Sequence, residues 1–167
     1  MRYGRIFLVL AFIAPALAAC ATPQAMTVDS GAVVNSNPKY RNAVAVRSVT
    51  GGQVMNALTI MGVANEPFQA ALEGSLAANG YLARSSTPKF YVDAKIVNLD
   101  QPLIGLDLDV TANVSYEVSS GGTTATYPIR TTARATFSDS VIAADRMRVA
   151  NERAMQENIK QFLQALR

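Results

Sequence analysis

Two aspartates, Asp107 and Asp109, have the spacing best suited to chemistry in this chain. They stand two positions apart among Leu106, Leu108, Val110, Ala112, Val114, Tyr116 and Val118, which occupy every second position. A strand sends residues i and i+2 to one face, so the two carboxylates lie on the same side, roughly 7 Å apart. That separation suits acid–base work or the holding of a cation. The competing reading is a wet strand face, with Asp109 held by an arginine on the next strand. Other catalytic material is scarce. The chain contains no histidine, so neither a Ser-His-Asp nor a Cys-His nucleophile system can be built. Gly51-Gly52 lacks the Gly-Lys-Ser/Thr that a phosphate loop needs. Arg146, Arg148 and Arg153 alternate with Asp145, Glu152 and Glu157, the pattern of a solvated helix face rather than an anion site. No catalytic set and no cofactor are expected.

The remaining residue with chemistry is Cys20, the chain's single cysteine. Arg2 and Arg5 precede an apolar run from Ile6 to Leu17, and Ala18-Ala19 lead into Cys20. This charged, apolar, small-residue order is that of an export signal. The run spans 12 residues and contains Pro15, short of the ~20 residues that cross a bilayer core. Leu17-Ala18-Ala19-Cys20 resembles the lipobox of bacterial lipoproteins. The resemblance implies signal-peptidase recognition through Leu17, Ala18 and Ala19, a thioether-linked diacylglycerol on Cys20, and a mature chain starting there. Two or more acyl chains anchor stably, at ~0.8 kcal/mol per buried methylene. With Cys20 so committed, zinc sites built on histidine and cysteine are excluded. No intramolecular disulfide can form either.

Removing residues 1–19 from the 167 leaves 148, enough for one domain and a tether. Without Arg2 and Arg5 the 15 basic residues fall to 13, against 12 acidic ones. A nearly neutral chain lacks the dense basic face that a nucleic-acid binder requires. Residues 20–40, rich in Ala, Thr, Ser, Asn, Gly and Pro without a period, read as the lipidated cysteine and a flexible tether. Such a coil of ~20 residues would span roughly 25 Å. Residues 41–167 read as a single domain.

Within that domain the alternation from Asn42 to Val49 predicts a first strand. Asn65-Glu66-Pro67 predicts a helix start capped by Asn65, and Asn79-Gly80 its end. Phe68, Ala71, Leu72, Ser75 and Leu76 give that helix one inward stripe. Phe90, Val92, Ala94 and Ile96 predict a second strand, and Gln101-Pro102 breaks it. The run from Leu106 to Val118 is a third. Gly121-Gly122 is a hairpin signal, because both positions can take positive φ. With Ser120 facing Thr123, Tyr116 meets Tyr127, Val114 meets Ile129, Asp109 meets Arg134, and Leu106 meets Phe137. Pro128 puts the fourth strand at a sheet edge. Asp139 or Ser140 could cap a last helix, from about Ala144 to Leu166, with pairs Arg148–Glu152 and Arg153–Glu157. The order is β-α-β-β-β-α, an α+β two-layer sandwich with an antiparallel-rich sheet and two helices on one face.

The connection from Thr50 to Ala64 is long for a strand-to-helix link and carries Val54, Met55, Leu58, Ile60 and Met61. Long apolar, methionine-containing connections suit adaptable contact surfaces. This loop is a possible partner-contact site; the alternative is that it closes the open end of the core.

Residues 41 to 166 resemble a family of uncharacterised bacterial envelope lipoproteins. The resemblance rests on Thr50-Gly51-Gly52, Asn65-Glu66-Pro67-Phe68 with Ala71-Leu72, and Gln101-Pro102 with Gly105-Leu106-Asp107. A last stretch runs from Arg146 through Ala150 and Glu152 to Asn158-Ile159. Some members carry an acyltransferase label, which a chain without histidine or hexapeptide repeats does not support. The element order is also similar to small accessory lipoproteins of envelope transport and lipopolysaccharide assembly. Ala21 after the cysteine, rather than aspartate, resembles an outer-membrane sorting signal. The expectation is a non-catalytic accessory or binding module, lipid-anchored at the periplasmic face of the outer membrane. Its partners are the membrane and a possible envelope protein complex. The alternatives are a carrier of a lipid or hydrophobic ligand and a hydrolase or transferase acting through Asp107 and Asp109.

Overall fold

Alternating apolar and polar side chains build a four-stranded sheet in the computed structural model, which describes residues 21–33, 37–53, 62–102 and 104–166. Strands β1 (Val44–Thr50), β2 (Phe90–Asp100), β3 (Leu108–Ser120) and β4 (Thr123–Ala135) lie side by side in that order. β1 and β2 are parallel, while β2–β3 and β3–β4 are antiparallel. Phe90, Val92, Ala94 and Ile96 of β2 are buried, as are the even-numbered residues of β3 from Leu108 to Val118. Helices α2 (Asn65–Ala78) and α3 (Ala143–Ala165) cover them, α2 against β1 and α3 against β3 and β4. Phe68, Leu72 and Leu76 of α2 join Met155, Ile159, Phe162 and Leu163 of α3 in one core. The Phe162 ring stacks on Tyr116 with centroids 4.0 Å apart. Fully burying side chains of this size contributes about 1.5–3 kcal/mol each.

The expected hairpin register holds from Ser120↔Thr123 through Tyr116↔Tyr127 and Val114↔Ile129 to Asp109↔Arg134. Pro128 lies on the outer strand, where its missing donor costs no ladder bond. The Leu106–Phe137 pair does not form. The ladder stops at Leu108↔Ala135, and both residues are exposed beyond it. A turn is the cause: Asp139 Oδ2 accepts from the Thr136 amide at 2.8 Å, and the Asp139 amide donates to Thr136 O.

Three local expectations also change. Asn65 is the first residue of α2 rather than its cap, and Ala64 holds the cap position. The Asn65 Oδ1 instead accepts from the Gly52 amide at 2.7 Å, tying the exit of β1 to the helix start. A Cβ on Gly52 would sit 2.5 Å from that Oδ1, so only glycine fits there. Ile142 caps α3, not Asp139 or Ser140. The Arg148–Glu152 pair forms at 2.9 Å, whereas Arg153 turns to Asp139 and Glu157 pairs with Lys160.

The expected tether is the largest correction. Residues 21–33 pack on the body instead of forming a loose coil. Pro23–Met26 form a short helix, α1, against α2 and α3, and Met26 and Val28 are buried with the core. The Ser75 Oγ accepts from the Val28 amide at 2.9 Å, and the Gln156 side chain donates to Thr27 O at 2.8 Å. Ala21 and Val33 are buried in the same core, so apolar contacts and hydrogen bonds dock the segment together.

Candidate functional site

All the longer connections of the sheet that follow β1, β2 and β4 leave from one end of it. β1 and β2 finish there, β3 begins there, β4 finishes there, and α2 and α3 start there. The other end holds the tight Gly121-Gly122 turn and the helix C-termini. This loop end is where the sequence-predicted residues converge, so far as they are described.

Asp107 and Asp109 are both at this end and on the wet face. The Arg134 Nε and Nη2 donate to the two oxygens of Asp109 at 2.7 and 2.8 Å, and the Arg134 Nη1 stands 3.8 Å from Asp107. The guanidinium holds the Asp109 carboxyl below its ordinary range, and the carboxylate raises Arg134 in turn. A general acid at neutral pH needs the opposite shift. The arrangement is an exposed two-carboxylate, one-guanidinium cluster. Among the described residues no group of three His, Cys, Asp or Glu side chains is placed to hold a metal ion.

One further ion pair and a buried arginine stabilise this end. Arg153 Nη2 meets Asp139 Oδ1 at 2.6 Å, and Arg153 Nη1 also donates to the Arg134 carbonyl at 2.9 Å. Arg153 and the Thr136 amide together hold the Asp139 carboxyl far below the ordinary carboxylate range. Arg146, itself buried, donates to Ser140 O at 2.8 Å and lies 5.5 Å from the Phe137 ring centroid. The loop between β2 and β3 is fixed to α3 by Gln101 Nε2 on Asn151 Oδ1 at 2.7 Å. Beside it a cleft of about 120 Å³ is lined by Gly51, Gln53, Gly62, Val63, Ile96–Leu99 and Gln101. Small-molecule pockets commonly measure ~300–1,000 Å³.

Leu17, Ala18, Ala19 and Cys20 lie outside the described residues, as do Val54, Met55, Leu58, Ile60 and Met61. What the structure gives is the frame of the latter segment: the Gln53 amide donates to Val63 O at 3.0 Å, closing its two ends at the loop end of the sheet. No helix among the described residues is long and apolar enough to cross a membrane. The sequence reading missed two features. One is Glu152, whose Oε1 accepts from the Thr22 amide at 2.9 Å and from the Thr22 hydroxyl at 3.2 Å, fastening the N-terminal arm. The other is the exposure of Leu106 and Phe137, with Ile104, Val141 and Ile142, around the same end. The turn residues Gln101-Pro102 and Asp139-Ser140 were the available signal.

No family model matches the chain, and no curated protein sequence matches it. Solved structures do. A hypothetical protein from Chlamydia trachomatis superposes with a TM-score of 0.52 at 14% identity, over 74% of this chain and 96% of that one. A Xanthomonas campestris protein of the family DUF330 gives a TM-score of 0.51 at 10% identity, over 83% and 93%. The likeness is one of fold. It covers nearly the full length of both neighbours, so the β-α-β-β-β-α body is an architecture that other bacterial chains also adopt. The stretches that carry the family resemblance have structural duties in this body. Gly52 and Asn65 bond each other, Gln101 reaches Asn151, and Glu152 holds the arm. Asn158 is the hub of a buried network: its Oδ1 accepts from Tyr116 OH at 2.9 Å, and its amide donates to Ala112 O, Ile129 O and Thr131 Oγ1.

Proposed function

We propose that the chain is a lipid-anchored protein of the outer membrane, facing the periplasm, whose body works by binding an envelope component rather than by catalysing a reaction. The observation that carries this reading is Leu17-Ala18-Ala19-Cys20 at the end of a 12-residue apolar run. Three features of the body support the binding half. Asp109 of the best acidic pair is held by Arg134, a Ser-His-Asp or Cys-His nucleophile system has no histidine to use, and the loop end presents apolar side chains. The apolar segment from Val54 to Met61 is the proposed partner contact.

The test is crosslinking in intact cells, followed by recovery of the full-length chain and mass spectrometry, with Cys20→Ser alongside. Stoichiometric recovery of one transporter or assembly complex, lost in Cys20→Ser, is the expected result. Recovery of bulk envelope proteins alone, in equal amounts from both forms, overturns the accessory role.

A further inference from the structure

Five of the seven exposed large apolar residues among those described surround the loop end: Ile104 is 90% exposed, Leu106 73%, Val141 72%, Ile142 56% and Phe137 53%. They come from the two neighbouring connections that flank the Leu108↔Ala135 rung. The N-terminal arm bears on what covers them. Thr22 is fastened to Glu152, and α3 at that level is abreast of the last rungs of the sheet, since Arg153 bonds Arg134 O and Asn151 bonds Gln101. From Thr22 the arm runs away from the loop end, with Thr27 at Gln156, Val28 at Ser75 and Asp29 at Asn79. Ala21 is only 6% exposed, and one peptide bond joins it to Cys20.

We propose that the loop end rests on the bilayer that the acyl chains of Cys20 enter, with Ile104, Leu106, Phe137, Val141 and Ile142 in its interfacial zone. The inference rests on the reading that Cys20 is lipidated. The attachment enters the body at Glu152, ten residues of α3 or about 15 Å from Ile142. A tether that short keeps the apolar residues at high effective concentration beside the lipid, so weak individual contacts suffice. Interfacial apolar faces sink ~5–10 Å, which loop tips at the end of the molecule can reach without moving the sheet. Part of the acidic charge of this end is paired, Asp107 and Asp109 with Arg134 and Asp139 with Arg153.

The absence of any second cysteine supplies the test. Leu106→Cys, Val141→Cys and, at the opposite end, Thr124→Cys each add one free thiol to the full-length lipidated chain for an environment-sensitive fluorophore. All three positions are exposed, so the fold is not at stake. Each labelled protein is placed in phosphatidylethanolamine–phosphatidylglycerol vesicles containing brominated lipid, and its intact mass is recorded for diacylglycerol. The expected result is a blue shift and about twofold or greater quenching at positions 106 and 141, with none at 124. Equal, weak quenching at all three sites in a protein that carries its lipid overturns the inference alone, and leaves the apolar end to a protein partner or a second copy. A mass lacking diacylglycerol ends the lipidation reading and the inference together.

Discussion

Asp139 shows how much one exposed carboxylate can organise. It closes the turn after β4 through the Thr136 amide and receives Arg153 from α3, so the strand exit and the helix are fixed by the same two oxygens. Both contacts favour the charged form, and its carboxyl titrates far below the ordinary range. A depressed folded-state pKa contributes stability that is fully present above the unfolded value, ~3.9, and is lost as pH falls toward the folded one. Asp139→Asn removes that contribution at every pH. Thermal melts from pH 7 to pH 2 should therefore show the variant less stable near neutrality, with the gap to the parent closing below about pH 4. Parallel curves across the whole range would show that Arg153 does not act through the carboxylate. Asp93, lowered chiefly by Arg47 and also by Ser48, and Asp109, lowered by Arg134, share the acid sensitivity, so both proteins still lose stability at low pH.

The elements were unequally legible. Gly121-Gly122 and two matched alternations determine the β3–β4 register, because any slip by one residue would turn the apolar set outward. The same alternation misled at its ends: Leu106 and Phe137 continue the period, but period alone carries no information about where pairing stops, and the Thr136–Asp139 turn ends it two residues early. Asn65 fits a cap by residue type and place, yet it is the first residue of α2. Its side chain serves a neighbour 13 positions away, a long-range bond that no local pattern encodes. The arm was hidden for a related reason. Its composition is that of a linker, and Met26 and Val28 are buried against a surface that α2 and α3 supply, which no local pattern encodes. Glu152 is the residue on which that docking turns. It is buried, it receives Arg148 on Oε2 and Thr22 twice on Oε1. Glu152→Ala leaves a half-buried guanidinium and a backbone amide without their acceptor, at a cost of about 1–3 kcal/mol in urea unfolding. Hydrogen exchange should quicken at Thr22 and Val28 while the amides of β3 keep their protection. Unchanged exchange at Val28 would show that Met26 and Ser75 hold the arm without Glu152.

At the scale of the whole molecule, the packed arm changes the geometry of anchoring. A loose tether of ~20 residues would let the body stand off the bilayer by roughly 25 Å. With residues 21–33 docked along α2 and α3, the described body begins one residue after Cys20, so a lipid on Cys20, as proposed, would enter beside its apolar end. In the proposed pose the open sheet face, with Arg47 on Asp93 and Thr111 on Thr132, stays in water. Its polar ladders suit that setting, since each is exposed and hydrogen-bonded across strands. The distinction between a standing and a resting body is measurable without knowing any partner. An energy-transfer donor on Thr124→Cys, at the far hairpin, reports the height of the body above an acceptor dye in the vesicle surface. Inserting about 20 Gly-Ser residues between Cys20 and Ala21 gives back the reach that docking of the arm removes, on the order of 25 Å of added span. The insertion should leave the melting temperature unchanged, because it adds chain outside the core. If apolar contacts hold the loop end on the lipid, the donor height should also stay close to that of the parent chain. If only the short attachment holds the body down, the height should increase with the insert and broaden in distribution. The comparison separates the contribution of the loop end from that of the attachment length.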